Sequence, residues 1–193
     1  MRFNLKGPKS EGSRPLTPKL PNPFRAAVLV LILLFSSLCA TQTKAGRCED
    51  LTKLNLPDVT IISSTDVPAG QFTPPGSSTA LETPEFCRVV AVAKPTSDSV
   101  INFEVWIPPA AHWNHNFLGR GNGGYMGAIS YGALANGLGR GFATASTDTG
   151  HTGEDLKFAA GHPEKIVDWG YRSVHVMAES AKRIIRDYSG HAS

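Results

Sequence analysis

Residues 118–127 read LGRGNGGYMG, five glycines in ten positions with Arg120 as the only charge. Glycine gives up more backbone freedom on folding than any other residue, so it is a poor interior residue for helices and strands. Such a cluster belongs where the backbone bends unusually or comes close to something. It also divides its neighbours: NFLGRG before it reads as a short strand, ISYGALANGLGRG after it as a glycine-weakened helix, and GFATAST as a second strand. Strand, helix and strand within about 35 residues form a parallel pair, because parallel strands need a crossover of a dozen residues or more.

The segments on either side agree with a layered α/β domain. CRVVAVAKP and SVINFEVWIPP are rich in β-branched residues and closed by proline, with Thr-Ser-Asp between them, and they read as an antiparallel hairpin. Val59, Ile61 and Ile62 predict a short strand upstream, while QFTPPGSSTALETPEF at residues 71–86 reads as loop. Downstream, residues 163–190 predict one long helix. Pro163 and Glu164 suit its first turn, and Gly190 suits its end. Val174, Met177, Ala178, Ala181, Ile184, Ile185 and Tyr188 recur at three- and four-residue steps, which places them on one face turned toward a sheet.

Composition separates the first 45 residues from the rest. The formal net charge is +3, yet seven of the 19 basic residues and one of the 16 acidic ones lie in that arm, leaving 12 basic against 15 acidic beyond it. A basic face for nucleic acid is therefore not expected. Within the arm, AAVLVLILLFSSL at residues 26–38 is an apolar run behind a basic flank. It is shorter than the roughly 20 residues a membrane span needs, and it has the order of a secretory signal peptide. Cleavage after Ala45 fits the small-residue preference, with Ala40 the weaker site, and Cys39 leaves with the signal. The reading is a basic arm and signal at residues 1–45, a domain at residues 46–193, and a secreted or periplasmic location. In such a compartment the remaining cysteines, Cys48 and Cys87, are expected to pair. No C-x-x-C or zinc spacing occurs, so no metal site is expected.

The glycine loop admits three readings. Gly119, Gly121 and Gly124 spell G-x-G-x-x-G, the dinucleotide fingerprint, with Asp148 placed to hold a ribose. Alternatively the loop presents backbone N–H groups to the anion that forms on a carbonyl oxygen during ester hydrolysis, as the loop after the third strand does in α/β-hydrolases. Gly123 and Gly124 are then the donors. In the third reading the glycines serve helix and strand packing alone. The signal peptide and the preceding hairpin count against the dinucleotide.

Four stretches in order, FCRVVAVAKPTSDSVINFEVWIPP, WNHNFLGRGNGGYMGAISYGAL, GRGFATASTDTGHTG and GHPEKIVDWGYRSVH, together resemble the N-terminal part of the tannase and feruloyl esterase family of α/β-hydrolases. The resemblance implies a secreted serine carboxylesterase for a small aromatic ester of the feruloyl or galloyl type. It implies an α/β fold: an incomplete α/β-hydrolase sheet with an N-terminal β-hairpin, truncated before the nucleophile strand. In the family a Gly-Cys-Ser-x-Gly-Gly elbow follows the helix, and the lid carries a calcium site. Neither has a counterpart here, so the catalytic serine, acid and histidine are absent, no cofactor is assigned, and the chain is expected to lack turnover alone. An open sheet edge and an uncovered helix face are expected to favour aggregation. Ser193 lacks the strained turn that exposes a nucleophile. His115 stands where the family usually has glycine, which alters a turn. A secreted, non-catalytic binding module is the alternative from another class.

The remaining candidates read as structural. His112 and His115 flank Trp113 as turn residues, and Asp148 and His151 read as turn hydrogen-bonders more readily than as a catalytic pair. His175, Trp169 and Tyr171 read as packing or capping residues of the long helix.

Overall fold

The computed structural model of the protein describes residues 47–190. The basic arm, the signal at residues 26–38 with its cleavage sites, Cys39 and Ser193 lie outside the described residues. The central element is a five-stranded sheet of β1 (Val59–Val67), β4 (Phe86–Ala93), β5 (Ile101–Ile107), β7 (Ala143–Thr147) and β6 (Phe117–Arg120), hydrogen-bonded in the order β1-β4-β5-β7-β6. All neighbours are antiparallel except β6 and β7, which pair in parallel from Phe117↔Ala143 to Arg120↔Ser146. Helix α1 (Tyr131–Gly139) makes the crossover between them. The predicted hairpin is the β4–β5 pair, and the predicted strand–helix–strand unit is β6–α1–β7.

Successive side chains of a strand point to opposite faces, so each central strand serves two cores. Ile101, Phe103, Val105 and Ile107 join Val89, Ala91, Ala143 and Ala145 on one face, where Met177, Ala181, Ile184 and Ile185 of the long helix cover them. The opposite face carries Phe86 and Trp106 under Leu134 and Leu138 of α1. Polar groups sit among them. Glu104 is 1% exposed and accepts hydrogen bonds from Arg88 Nε at 2.8 Å, Trp106 Nε1 at 2.8 Å and the Tyr131 hydroxyl at 3.0 Å. A buried carboxylate is tolerable only when so fully partnered. Burial, reinforced by the Glu104 charge, pushes the Tyr131 phenol up to about 12, so it stays a neutral donor.

One expectation is corrected. Residues 71–86 are not loop throughout: β2 (Gly70–Phe72) and β3 (Leu81–Thr83) form a separate two-stranded ribbon. The cause is Phe72, whose ring meets Trp106 and Phe86 edge-on at 5.2 and 5.7 Å and lies under the Arg88 guanidinium. The long helix runs from Pro163 to Ser189 as expected, with one local irregularity. It comprises α2 (Pro163–Val167), a π-helical turn at Asp168–Arg172, and α3 (Ser173–Ser189). Its end is as expected, with Gly190 left-handed at φ 71° and its N–H bonded to Arg186 O. Of the predicted apolar face, Val174 is exposed, and Ser173 and Ser180 are buried instead.

Cys48, in the 3-10 turn Cys48–Lys53, is joined to Cys87 of β4, with Cα atoms 5.6 Å apart. With 39 residues of sequence separation, the chain-entropy estimate of its contribution is about 3.9 kcal/mol. Replacing both cysteines by serine is expected to lower the unfolding free energy by roughly 3–4 kcal/mol in urea titration; a loss under about 1 kcal/mol would show that the 3-10 turn is held by packing alone.

Candidate active site

The glycine loop leaves β6, an outer strand of the sheet, and enters α1 only at Tyr131. Its glycines divide into two kinds. A side chain at Gly127 would meet the His151 carbonyl oxygen at 2.6 Å, and one at Gly137 would meet Thr144 Cγ2 at 2.5 Å. Those two serve packing. At Gly123 and Gly124 a side chain would meet nothing within 4 Å, and Gly124 has φ +57°. Packing does not account for glycine at either position.

The carbonyls of the loop are held from within. Gly123 O accepts from Met126 N at 3.2 Å, Gly124 O from Trp169 Nε1 at 3.2 Å, and Gly127 O from Gly153 N at 3.0 Å. Tyr125 O lies 2.9 Å from His151 Nε2, and Thr149 Oγ1 lies 3.3 Å from Met126 O. Asn122 adds a side-chain bond to Thr147 O at 2.9 Å. In a trans peptide the N–H points opposite to the carbonyl of the same unit. Anchoring Gly123 O and Gly124 O therefore turns the amides of Gly124 and Tyr125 away from those anchors. Among the described residues the amides of Gly123, Gly124 and Tyr125 donate to no acceptor.

The turn after β7 supplies most of these anchors. Asp148 Oδ1 accepts from Asn102 N at 3.0 Å and Gly150 N at 2.9 Å, and Oδ2 from Asn102 Nδ2 at 2.6 Å. Burial nonetheless holds its carboxyl above the ordinary value, the three hydrogen bonds opposing. Thr149 is β-branched yet has φ 59°, a strained conformation for such a side chain. His151 is buried and stacks on Phe158, with ring centroids 3.9 Å apart. Asp148 and His151 thus act as separate structural groups. The π-helical turn closes the assembly. Its Trp169 reaches the loop, and its Asp168 is fully buried beside Gly150, with Oδ1 bonded to Arg172 and Oδ2 without a partner among the described residues.

Trp169, expected to pack or cap, stacks on Tyr125 and in addition anchors the loop through Gly124 O, and the π-turn that carries it has no periodic signature. Asn122 and Thr149 also escaped notice. His112 and His115 are exposed turn residues, His115 with φ 63°, and His175 is exposed on α3. The dinucleotide alternative loses its geometry: no helix begins at Gly119, Gly121 or Gly124 to receive a pyrophosphate, and the Asp148 oxygens are already engaged. Cys48, Asp66 and Cys87 cluster with ligand-like spacing, but both sulfurs are in the disulfide. No helix among the described residues is long and apolar enough to cross a membrane.

A partly parallel sheet layered between helices, with a glycine loop at the end of an outer strand, defines an α/β-hydrolase type of protein. The family model described as "Tannase and feruloyl esterase" matches residues 87–193, more than half of the chain, and the chain belongs to that family. An uncharacterised esterase of Xanthomonas campestris pv. campestris is 46% identical over 158 residues, 81% of this chain and 27% of that protein. A probable feruloyl esterase B-1 of Neosartorya fischeri is 33% identical, over 75% of this chain and 30% of its own length. The crystal structure of feruloyl esterase B from Aspergillus oryzae superposes with TM-score 0.68 at 30% identity, covering 73% of this chain and 28% of that one. A tannin acyl hydrolase from Aspergillus niger shares the fold, with TM-score 0.54 at 19% identity. The chain thus spans about 30% of the length of these relatives.

Two outcomes follow from the site geometry. Alanine at Gly127 is expected to destabilise by about 1–3 kcal/mol through collision with backbone, at Gly124 by about 1–2 kcal/mol through its left-handed φ, and at Gly123 by under about 0.5 kcal/mol; urea titration of the three variants reads this order. The second concerns pH. Because the folded state holds the Asp148 proton more tightly than the unfolded chain does, this group's contribution to stability falls as pH rises from 3.8 through its higher folded value. Carboxyl ¹³C titration should place Asp148 above 3.8, and Asp148→Asn should flatten that part of the stability–pH curve while losing about 1–3 kcal/mol at neutral pH, where an amide faces donors.

Proposed function

We propose that this chain contributes the oxyanion-stabilising part of a serine carboxylesterase that cleaves small aromatic esters of the feruloyl or galloyl type. The observation that supports the reading is the polarity of the loop: carbonyls of residues 123–127 are hydrogen-bonded, while among the described residues the amides of Gly123 and Gly124 have no acceptor. As a serine attacks the ester carbonyl, its oxygen gains negative charge, and preformed N–H donors stabilise that charge without reorganising. In this reading the serine, its histidine and the acid are supplied from outside residues 47–190, and residues 47–190 alone are expected to show no turnover. Export to the periplasm or the medium suits a polymer-derived substrate and a disulfide-bonded domain.

The test replaces the matching segment of the Xanthomonas esterase with residues 47–190 of this chain. The hybrid is expected to cleave methyl ferulate or methyl gallate with a rate that disappears when the relative's catalytic serine is replaced, while the chain alone is inactive. Gly123→Pro, which removes one donor, should lower kcat by roughly 10²–10³-fold with little change in KM. A hybrid that folds and stays inactive beside an active parent rejects the proposal.

A further inference from the structure

Four aromatic rings run from the turn after β7 to the glycine loop. His151 stacks on Phe158, Phe158 meets Trp169 at 6.5 Å with a 58° tilt, and Trp169 stacks on Tyr125 at 5.1 Å with 10° between planes. The row ends at Tyr125, which is 48% exposed although its neighbour in the stack is half-buried. Its hydroxyl takes no hydrogen bond among the described residues. Its position is specific as well, since Tyr125 follows Gly124 directly and carries one of the three unbonded amides.

We infer that the exposed face of the Tyr125–Trp169 stack is the subsite for the aromatic ring of a phenolic ester or acid. The inference rests on the proposed esterase reading, which places the ester carbonyl at the neighbouring amides, and it names the residues that select an aromatic group. A planar ring continues the row on Tyr125, where offset stacking adds to area burial. The unpartnered Tyr125 hydroxyl meets a phenolic hydroxyl or methoxy group at the ring edge. Trp169 couples the subsite to the loop, because the same side chain that stacks beneath Tyr125 donates to Gly124 O. A ring bound on Tyr125 therefore sits on the element that orients the donor amides.

The test is a binding measurement on the chain itself, with methyl ferulate as probe. In ¹H–¹⁵N spectra the Trp169 indole and the Tyr125 amide should shift saturably, while the indoles of Trp106 and Trp113, both buried elsewhere, should not. Methyl 3-cyclohexylpropanoate, similar in size but without a flat ring, should bind several-fold more weakly. Tyr125→Ala should weaken methyl ferulate binding by roughly two- to tenfold and Tyr125→Phe should retain most of it, with unchanged Trp106 and Trp113 indoles reporting an intact fold. Where self-association prevents spectra of the chain, the hybrid esterase gives a second readout: Tyr125→Ala should raise KM for methyl ferulate several-fold more than KM for methyl butanoate. Shifts confined to other residues, equal binding of the saturated ester, or a Tyr125→Ala variant with unaltered affinity and KM would overturn the subsite. Saturable binding at Tyr125 together with an inactive hybrid would reject the esterase reading and leave the aromatic subsite standing.

Discussion

The inward anchoring of the loop carbonyls is the constraint on which the candidate site depends. A loop of five glycines has little intrinsic preference for one backbone path, and its internal bond from Met126 N to Gly123 O fixes only the Gly123–Gly124 peptide. Direction is imposed from three other places: the β7 strand through Thr147 O, the following turn through Thr149, His151 and Gly153, and the π-helical turn through Trp169. Planarity of the peptide then converts a set of accepted hydrogen bonds into a set of oppositely directed donors. Preorganised donors lower a barrier because their orientation has been fixed by folding before the reaction begins. The unusual elements around the loop acquire a common physical reason in this requirement.

Two of those elements are costly by themselves. Thr149 adopts φ 59°, where its branched Cβ crowds the backbone, and Asp168 is wholly buried with one oxygen unpartnered among the described residues. Each ties the turn after β7 to a neighbouring segment: Thr149 Oγ1 reaches toward Met126 O of the glycine loop, and Asp168 of the π-helical turn packs against Gly150 while bonding Arg172. Strain of this kind persists only where surrounding structure over-determines it. The surroundings here are the parts of the fold with the deepest burial, β5, β7 and α3, whose facing residues are almost completely enclosed. The rigid side of the molecule thus carries the strained side.

How much of this was legible in the sequence follows from which interactions are local. The β4–β5 hairpin, the β6–α1–β7 crossover and the end of α3 at Gly190 depend on nearby residue patterns and proline or glycine punctuation, and all three were anticipated. The β2–β3 ribbon was not, because it exists to bring Phe72 onto Trp106 and Arg88, a long-range contact hidden within a run of turn-forming residues. The helix from Pro163 to Ser189 is legible, whereas the π-turn at Asp168–Arg172 within it is not. Residues 168–172, DWGYR, carry no apolar period of their own, and the π-turn accompanies a long-range contact, Trp169 Nε1 to Gly124 O. For the glycines, spacing alone allowed a phosphate cradle, an oxyanion loop or simple packing. Neighbouring atoms separate them, since Gly127 and Gly137 face crowded surroundings while Gly123 and Gly124 face open space.

The buried Glu104 group shows how the opposite face of the sheet contributes to the same loop. Replacing a buried ionic cluster by apolar residues of similar volume is often neutral or stabilising, so stability alone does not explain its presence. Its geometry does something a hydrophobic cluster could not. Arg88 and Trp106 fix the carboxylate on the sheet, and the carboxylate then fixes the Tyr131 hydroxyl at the first residue of α1. One residue earlier, Ser130 N is bonded to Ser146 Oγ on β7. The downstream end of the glycine loop is thereby pinned to the sheet by directional bonds, with a partner whose phenol burial keeps protonated. With β6 holding the upstream end and the β7 turn holding the middle, the loop has no free end through which its amides could swing inward and satisfy one another.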